Sequence, residues 1–187
     1  MKKLIVARYN ENLDWLNKIN FESVIYNKGD IDSNYINLPN IGREADTYLN
    51  YILSNYNNLS DITVFTQANP FDHCYDFVEK VNTTTDFNNV VWLGTNWGPV
   101  TKNFEGGPGE RPLPLLDICE ELFQIKFSKD KTFIFSAGAQ YMVPKNFILK
   151  KSLNWWKNCY IVFNKYIETS PWAYERIWPL IWNYENL

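Results

Sequence analysis

Residues 4–11 read Leu4-Ile5-Val6-Ala7-Arg8-Tyr9-Asn10-Glu11. Four apolar residues run straight into a polar turn, the pattern of a strand buried on both faces. Working outward, Asn10-Glu11-Asn12 precedes Leu13, Trp15, Leu16 and Ile19, which predicts a capped amphipathic helix. Ser23-Val24-Ile25-Tyr26 predicts a second strand, closed by the turn cluster Asn27-Lys28-Gly29-Asp30. After a loop over 31–41, Glu44, Thr47, Tyr48, Tyr51, Ile52 and Tyr56 recur near the helical period. Asp61 to Thr66 predicts a third strand, Gln67 to Pro70 a turn and Phe71 to Val81 a helix.

Asn89 to Leu93 predicts a fourth strand, and residues 94–112 a long loop rich in glycine and proline. Loops of that length in compact domains are usually functional or mobile. Leu115 to Phe123 predicts a helix, Thr132 to Phe135 and Gln140 to Val143 strands. Lys145 onward reads as helix, and Trp172 to Trp182 as a last, aromatic one. Strands alternating with helices predict one α/β domain over 1–187, with a mixed sheet that is parallel in its first half and flanked by helices.

Composition narrows the classes. The chain has 187 residues, 45% hydrophobic and 21% charged, with net charge −3. That is enough for one core, and it is not the composition of a disordered chain. Mild acidity without a basic tract argues against a general nucleic-acid binder. The apolar run after Lys2-Lys3 stops too early for a signal peptide or a membrane span, so a cytoplasmic chain is expected. Cys74, Cys119 and Cys159 stand far apart, which is neither a disulfide framework nor a zinc pattern. Aromatic residues make up 17% of the chain.

In parallel sheets ligands bind beyond the carboxyl ends of the strands, and the polar clusters follow strands here. Arg8, Asn10 and Glu11 offer a guanidinium, an amide and a carboxylate; the alternative is a capped helix with Arg8 paired to Glu11. Gly42-Arg43-Glu44 opens the long helix, where free N–H groups and a guanidinium favour an anion. The plainer reading is a cap and a surface ion pair. Gln67-Ala68-Asn69-Pro70-Phe71-Asp72-His73 contains the only histidine. Asp72 with His73 could hold a divalent ion alongside diphosphate oxygens, or Asp72 caps and His73 packs. Small residues in Ser136-Ala137-Gly138-Ala139-Gln140 allow close approach of a ligand or of another backbone. Glu175 sits among aromatics beside Arg176, a setting suited either to a general base or to a salt bridge.

Taken together, VARYNENLDWL (6–16), IYNKG (25–29), LPNIGREADTYL (38–49), VFTQANPFDH (64–73), SAGAQYMV (136–143) and PWAYERIW (171–178) resemble the family catalogued as domain of unknown function 3431. More distantly, the layout is similar to small GT-A-type glycosyltransferases. That likeness implies a nucleotide-sugar donor held by Arg8, Asn10, Glu11, Asn27, Asp30, Gly42, Arg43, Glu44 and Gln67. It implies an acceptor sugar near His73, Trp97, Ser136, Gly138, Gln140 and Trp172, with Glu175 and Asp72 catalytic. Mn²⁺ or Mg²⁺ at Asp72 is implied too, although Gln67-Ala68-Asn69 stands where such enzymes carry Asp-x-Asp. The alternatives are a non-catalytic carbohydrate-binding protein or degenerate transferase, and a hydrolase or phosphoryl-transfer enzyme using Asp72, His73 and Glu175.

Overall fold

A computed structural model describes residues 1–85, 88–94, 97–101, 112–128 and 132–183 of the chain. At its centre lies β1 (Lys2–Arg8), whose Leu4, Ile5 and Val6 are fully buried. Successive strand side chains point to opposite faces, and here they enter two different cores. Ile5 and Phe65 belong to the larger core, while Leu4, Val6, Ile62 and Val64 belong to the smaller. β2 (Glu22–Asn27) and β4 (Ile62–Gln67) flank β1, both parallel to it, and β3 (Ile36–Asn37) extends the sheet beyond β2. Past β4 the direction reverses. β8 (Tyr141–Pro144) is antiparallel to β4, and β5 (Val91–Trp92) is antiparallel to β8. The order is β3-β2-β1-β4-β8-β5, and a separate ribbon pairs β6 (Trp97–Thr101) with β7 (Thr132–Ser136).

The larger core is closed by α1 (Arg43–Asn55), α3 (Leu115–Phe123), α4 (Lys145–Leu149), α5 (Leu153–Lys165) and α6 (Ser170–Trp182). α2 (Phe77–Thr83) and a 3-10 turn over Asp14–Lys18 cover the opposite face. Trp156, Trp178 and Trp182 are buried in the larger core, and the rings of Trp178 and Trp182 stack at 5.0 Å. Truncating a buried Trp typically costs about 3–5 kcal/mol. Much of the aromatic excess is therefore core. Among the described residues no helix is long and apolar enough to cross a membrane.

Several predicted elements differ. The helix expected at 13–19 is only a 3-10 turn, because the Asn12 side chain takes the Asp14 amide at 2.6 Å and competes with helix. The helix expected over 71–81 begins at Phe77; before it, Pro70–Asp72 form a 3-10 turn whose Pro70 carbonyl accepts from the buried Gln140 amide. The 31–41 loop contains β3, and the 94–112 loop contains β6; 95–96 and 102–111 lie outside the described residues. The helix from Lys145 is two, because Ser152 caps a new start by accepting from the Trp155 amide.

The winding fixes where a ligand fits. From β1 the chain passes to β2 and β3 on one side, then crosses to β4 on the other. The strand order thus reverses between β1 and β4, and the crevice outside their carboxyl ends is the expected binding place in such a sheet.

Candidate functional site

Arg8 and Gln67 end β1 and β4, and between them opens a cavity of about 240 Å³. Its wall is completed by Tyr9, Glu11, Lys28, Asn40, Arg43 and Glu44. The Arg8 guanidinium is braced, with Nη1 donating to Asn27 Oδ1 at 2.7 Å and Nε to the Glu11 carbonyl at 3.0 Å. Glu11 is not its ion-pair partner: Glu11 Oε2 accepts from the Tyr9 amide. Asn27 is fully buried and donates to the Asp30 carbonyl and to Asn37 Oδ1. Asn10 Oδ1 accepts from the Asp30 amide. Gly29 must lack a Cβ, which would fall 1.9 Å from the Tyr9 carbonyl oxygen. Asn10, Asn27 and Asp30 therefore brace the two strand-end turns against each other, and none of the three lines the cavity.

α1 enters the site through two consecutive left-handed residues, Gly42 (φ 70°) and Arg43 (φ 51°). A Cβ on Gly42 would lie 2.7 Å from the Phe163 ring, so its smallness serves packing against α5 rather than ligand approach. A left-handed conformation is unfavourable for arginine, and such backbone outliers cluster at functional sites. It brings the Arg43 guanidinium over the Trp172 ring at 5.3 Å, with Nε 3.7 Å from Glu44. Glu44 is 11% exposed, and burial pushes its carboxyl up to about 7. Arg43, its own backbone amide and Lys28 pull the other way, while Glu175 adds to the rise. Lys28 itself is buried and bonded to Asp46 and the Ile41 carbonyl, tying the β2 end to α1.

The second group of predicted residues stands on α6, β8 and the turns beside them. Gly138 (φ 84°) donates its amide to Glu175 Oε1 at 2.7 Å, and Glu175 Oε2 pairs with Arg176. A Cβ on Gly138 would lie 2.5 Å from the His73 ring, which packs there. Gln140 is fully buried between Thr66 and Pro70, so it braces the turn instead of facing a sugar. Trp97 and Ser136 pair through their backbones, and their side chains lie outside the described residues. With both Glu175 oxygens bonded, Glu175→Gln is expected to lower stability by about 1–3 kcal/mol in urea melts. Unchanged melts would remove this anchoring role.

Asp72 is exposed, and its carboxylate accepts from Asn69 Nδ2 at 2.9 Å. Among the described residues no group of three or more His, Cys, Asp or Glu is placed to hold a metal. The partner shown for the Asp72 carboxylate is the Asn69 side-chain amide, a hydrogen-bond donor and not a metal ligand. Lys28, Tyr9 and Asn40 line the cavity without having been singled out from the sequence. The signal for Lys28 was its place in the turn directly after β2.

Residues 4–91 match the model of the family described as Protein of unknown function (DUF3431). That span holds β1 through β4 and the whole cavity wall at Arg8, Arg43, Glu44 and Gln67, whereas Gly138, Trp172 and Glu175 lie beyond it. No curated protein and no solved structure matches the chain.

Proposed function

Taking a DUF3431 chain over residues 4–91 as the premise, we propose that the β1–β4 crevice binds the diphosphate of a nucleotide sugar. The protein then acts as a GT-A-like glycosyltransferase, passing the sugar to an acceptor hydroxyl. The observation that carries this reading is the convergence of Arg8, Arg43 and Gln67 on one cavity at the reversal of strand order. Neither Arg8 Nη2 nor the Arg43 guanidinium has a hydrogen bond to the described residues. Two guanidiniums beside one cavity stabilise the charge that develops on a departing diphosphate. Trp172, half-buried beneath Arg43, supplies a flat apolar face beside them.

The test is thermal. A ligand at about 100 times its Kd stabilises by roughly 2.7 kcal/mol, which is about 5–10 °C in Tm for a chain of this size. At least one of UDP, GDP, TDP and CDP, with or without Mg²⁺ or Mn²⁺, should give that shift, and Arg43→Ala should abolish it. No shift with any of the four contradicts the proposal. One observation favours a carbohydrate-binding protein instead: Trp15, Phe71 and Tyr75 share a surface groove on the other side of the sheet, with Tyr75 80% exposed. Binding of oligosaccharides that Tyr75→Ala removes, without any nucleotide effect, would establish that alternative.

A further inference from the structure

Among the described residues, the crevice contains one carboxyl group that no other residue fixes in place by a hydrogen bond. Glu175 has one oxygen on the Gly138 amide and the other on Arg176, which commits it to holding α6 against the turn before β8. Glu11 holds the Tyr9 amide. Glu44 lines the cavity, is 11% exposed, and has Arg43 Nε at 3.7 Å. Charged and titratable groups reach it from each element around it. Arg43 and Tyr48 come from α1, Lys28 from the end of β2, Glu175 and Arg176 from α6, and Tyr141 from β8. The Tyr48 and Tyr141 hydroxyls are buried and have no hydrogen-bond partner among the described residues. A carboxyl in that setting exchanges a proton with the cavity more readily than one pinned by two donors.

We propose that Glu44, rather than Glu175, is the catalytic residue that takes the proton in the crevice. The inference rests on the reading of this cavity as the donor site. As the acceptor oxygen forms its bond to the anomeric carbon, the bond from that carbon to the diphosphate oxygen breaks, and its electron pair leaves with the diphosphate. The hydroxyl proton passes to the Glu44 carboxylate and later to water. Burial, which raises this carboxyl to about 7, poises it near neutral pH for that exchange.

Two readouts separate this inference from the donor reading itself. The first is calorimetry of UDP and GDP binding in buffers of different ionisation heat at pH 7. An anion placed beside Glu44 raises its pKa, so binding should take up a fraction of a proton, and Glu44→Gln should remove that uptake while the nucleotide still binds. The second is hydrolysis of UDP-glucose or GDP-mannose, with water as acceptor. It should fall about 10²–10⁴-fold in Glu44→Gln and recover in part in Glu44→Asp. Glu44→Asp also keeps the test open should the Gln variant fail to fold. Nucleotide binding whose proton uptake and hydrolysis are unchanged in the variants overturns the role of Glu44 and leaves the donor site standing. Absence of any nucleotide binding overturns both.

Discussion

Lys28→Ala is expected to destabilise the fold by about 3–5 kcal/mol, the usual cost of stripping one partner from a buried ion pair. The Lys28 and Asp46 side chains are 4% and 3% exposed. Burial lowers the pKa of the Lys28 amine, and Asp46 holds it up. Without the amine, the Asp46 carboxylate keeps, among the described residues, Asn50 Nδ2 at 3.0 Å and the Tyr160 hydroxyl at 3.2 Å, both uncharged. Replacing both members by apolar residues removes the unpaired charge, so Lys28→Met with Asp46→Leu should recover most of the loss. Urea unfolding of the two single variants and the double one checks this. Three equal melting curves would mean that the pair does not tie β2 to α1. The pair matters to the site because Lys28 stands in the cavity wall and Asp46 lies one turn into the helix that presents Arg43.

Glu44 should also make stability depend on pH, in the direction opposite to an ordinary salt-bridged carboxylate. Its carboxyl is raised from 4.5 to about 7 in the fold, so the folded chain retains a proton that the unfolded chain has released. The stabilising contribution of the protonated form is complete below about pH 4.5. It drains away as pH rises towards 7, and stability no longer changes with Glu44 above that. The total is on the order of 3 kcal/mol. Glu44→Gln carries no charge at any pH and should be flat over this window. The test is urea unfolding of both proteins from pH 4.5 to 8.5, in which the gain of Glu44→Gln over the parent should grow with pH. Parallel curves would mean that Glu44 titrates alike in both states.

The parts of this account that could be read in the sequence are those dictated by a local period. Leu4 to Ala7 ran apolar because β1 is covered on both faces, and its end at Arg8 followed from where the run stopped. The regular spacing of apolar residues after Arg43 gave α1 nearly to its ends. Strand order was less legible, because nothing local shows that β8 runs antiparallel between β4 and β5; that depends on long-range pairing. The same limit applied to the site. Arg8, Arg43, Glu44 and Gln67 line one cavity, and each follows a strand or opens a helix. Asn10, Asn27 and Gln140 share that placement, yet their side chains are spent on neighbouring backbone and side-chain groups, and Asp30 joins through its backbone. Polar residues after a strand look alike in sequence, whether they face a ligand or hold the turn that does. The aromatic setting of Glu175 reads equally as that of a general base or of a salt bridge, and its oxygens bond to Gly138 and Arg176.

The central claim is that the crevice between the ends of β1 and β4 holds a nucleoside diphosphate. Crystals soaked with UDP or GDP, with Mn²⁺ present, test it most directly. The account predicts density for the two phosphates between Arg8, Arg43 and Gln67, with the Arg43 side chain turned towards them. An empty crevice at saturating nucleotide, or nucleotide bound on another face of the sheet, would contradict it.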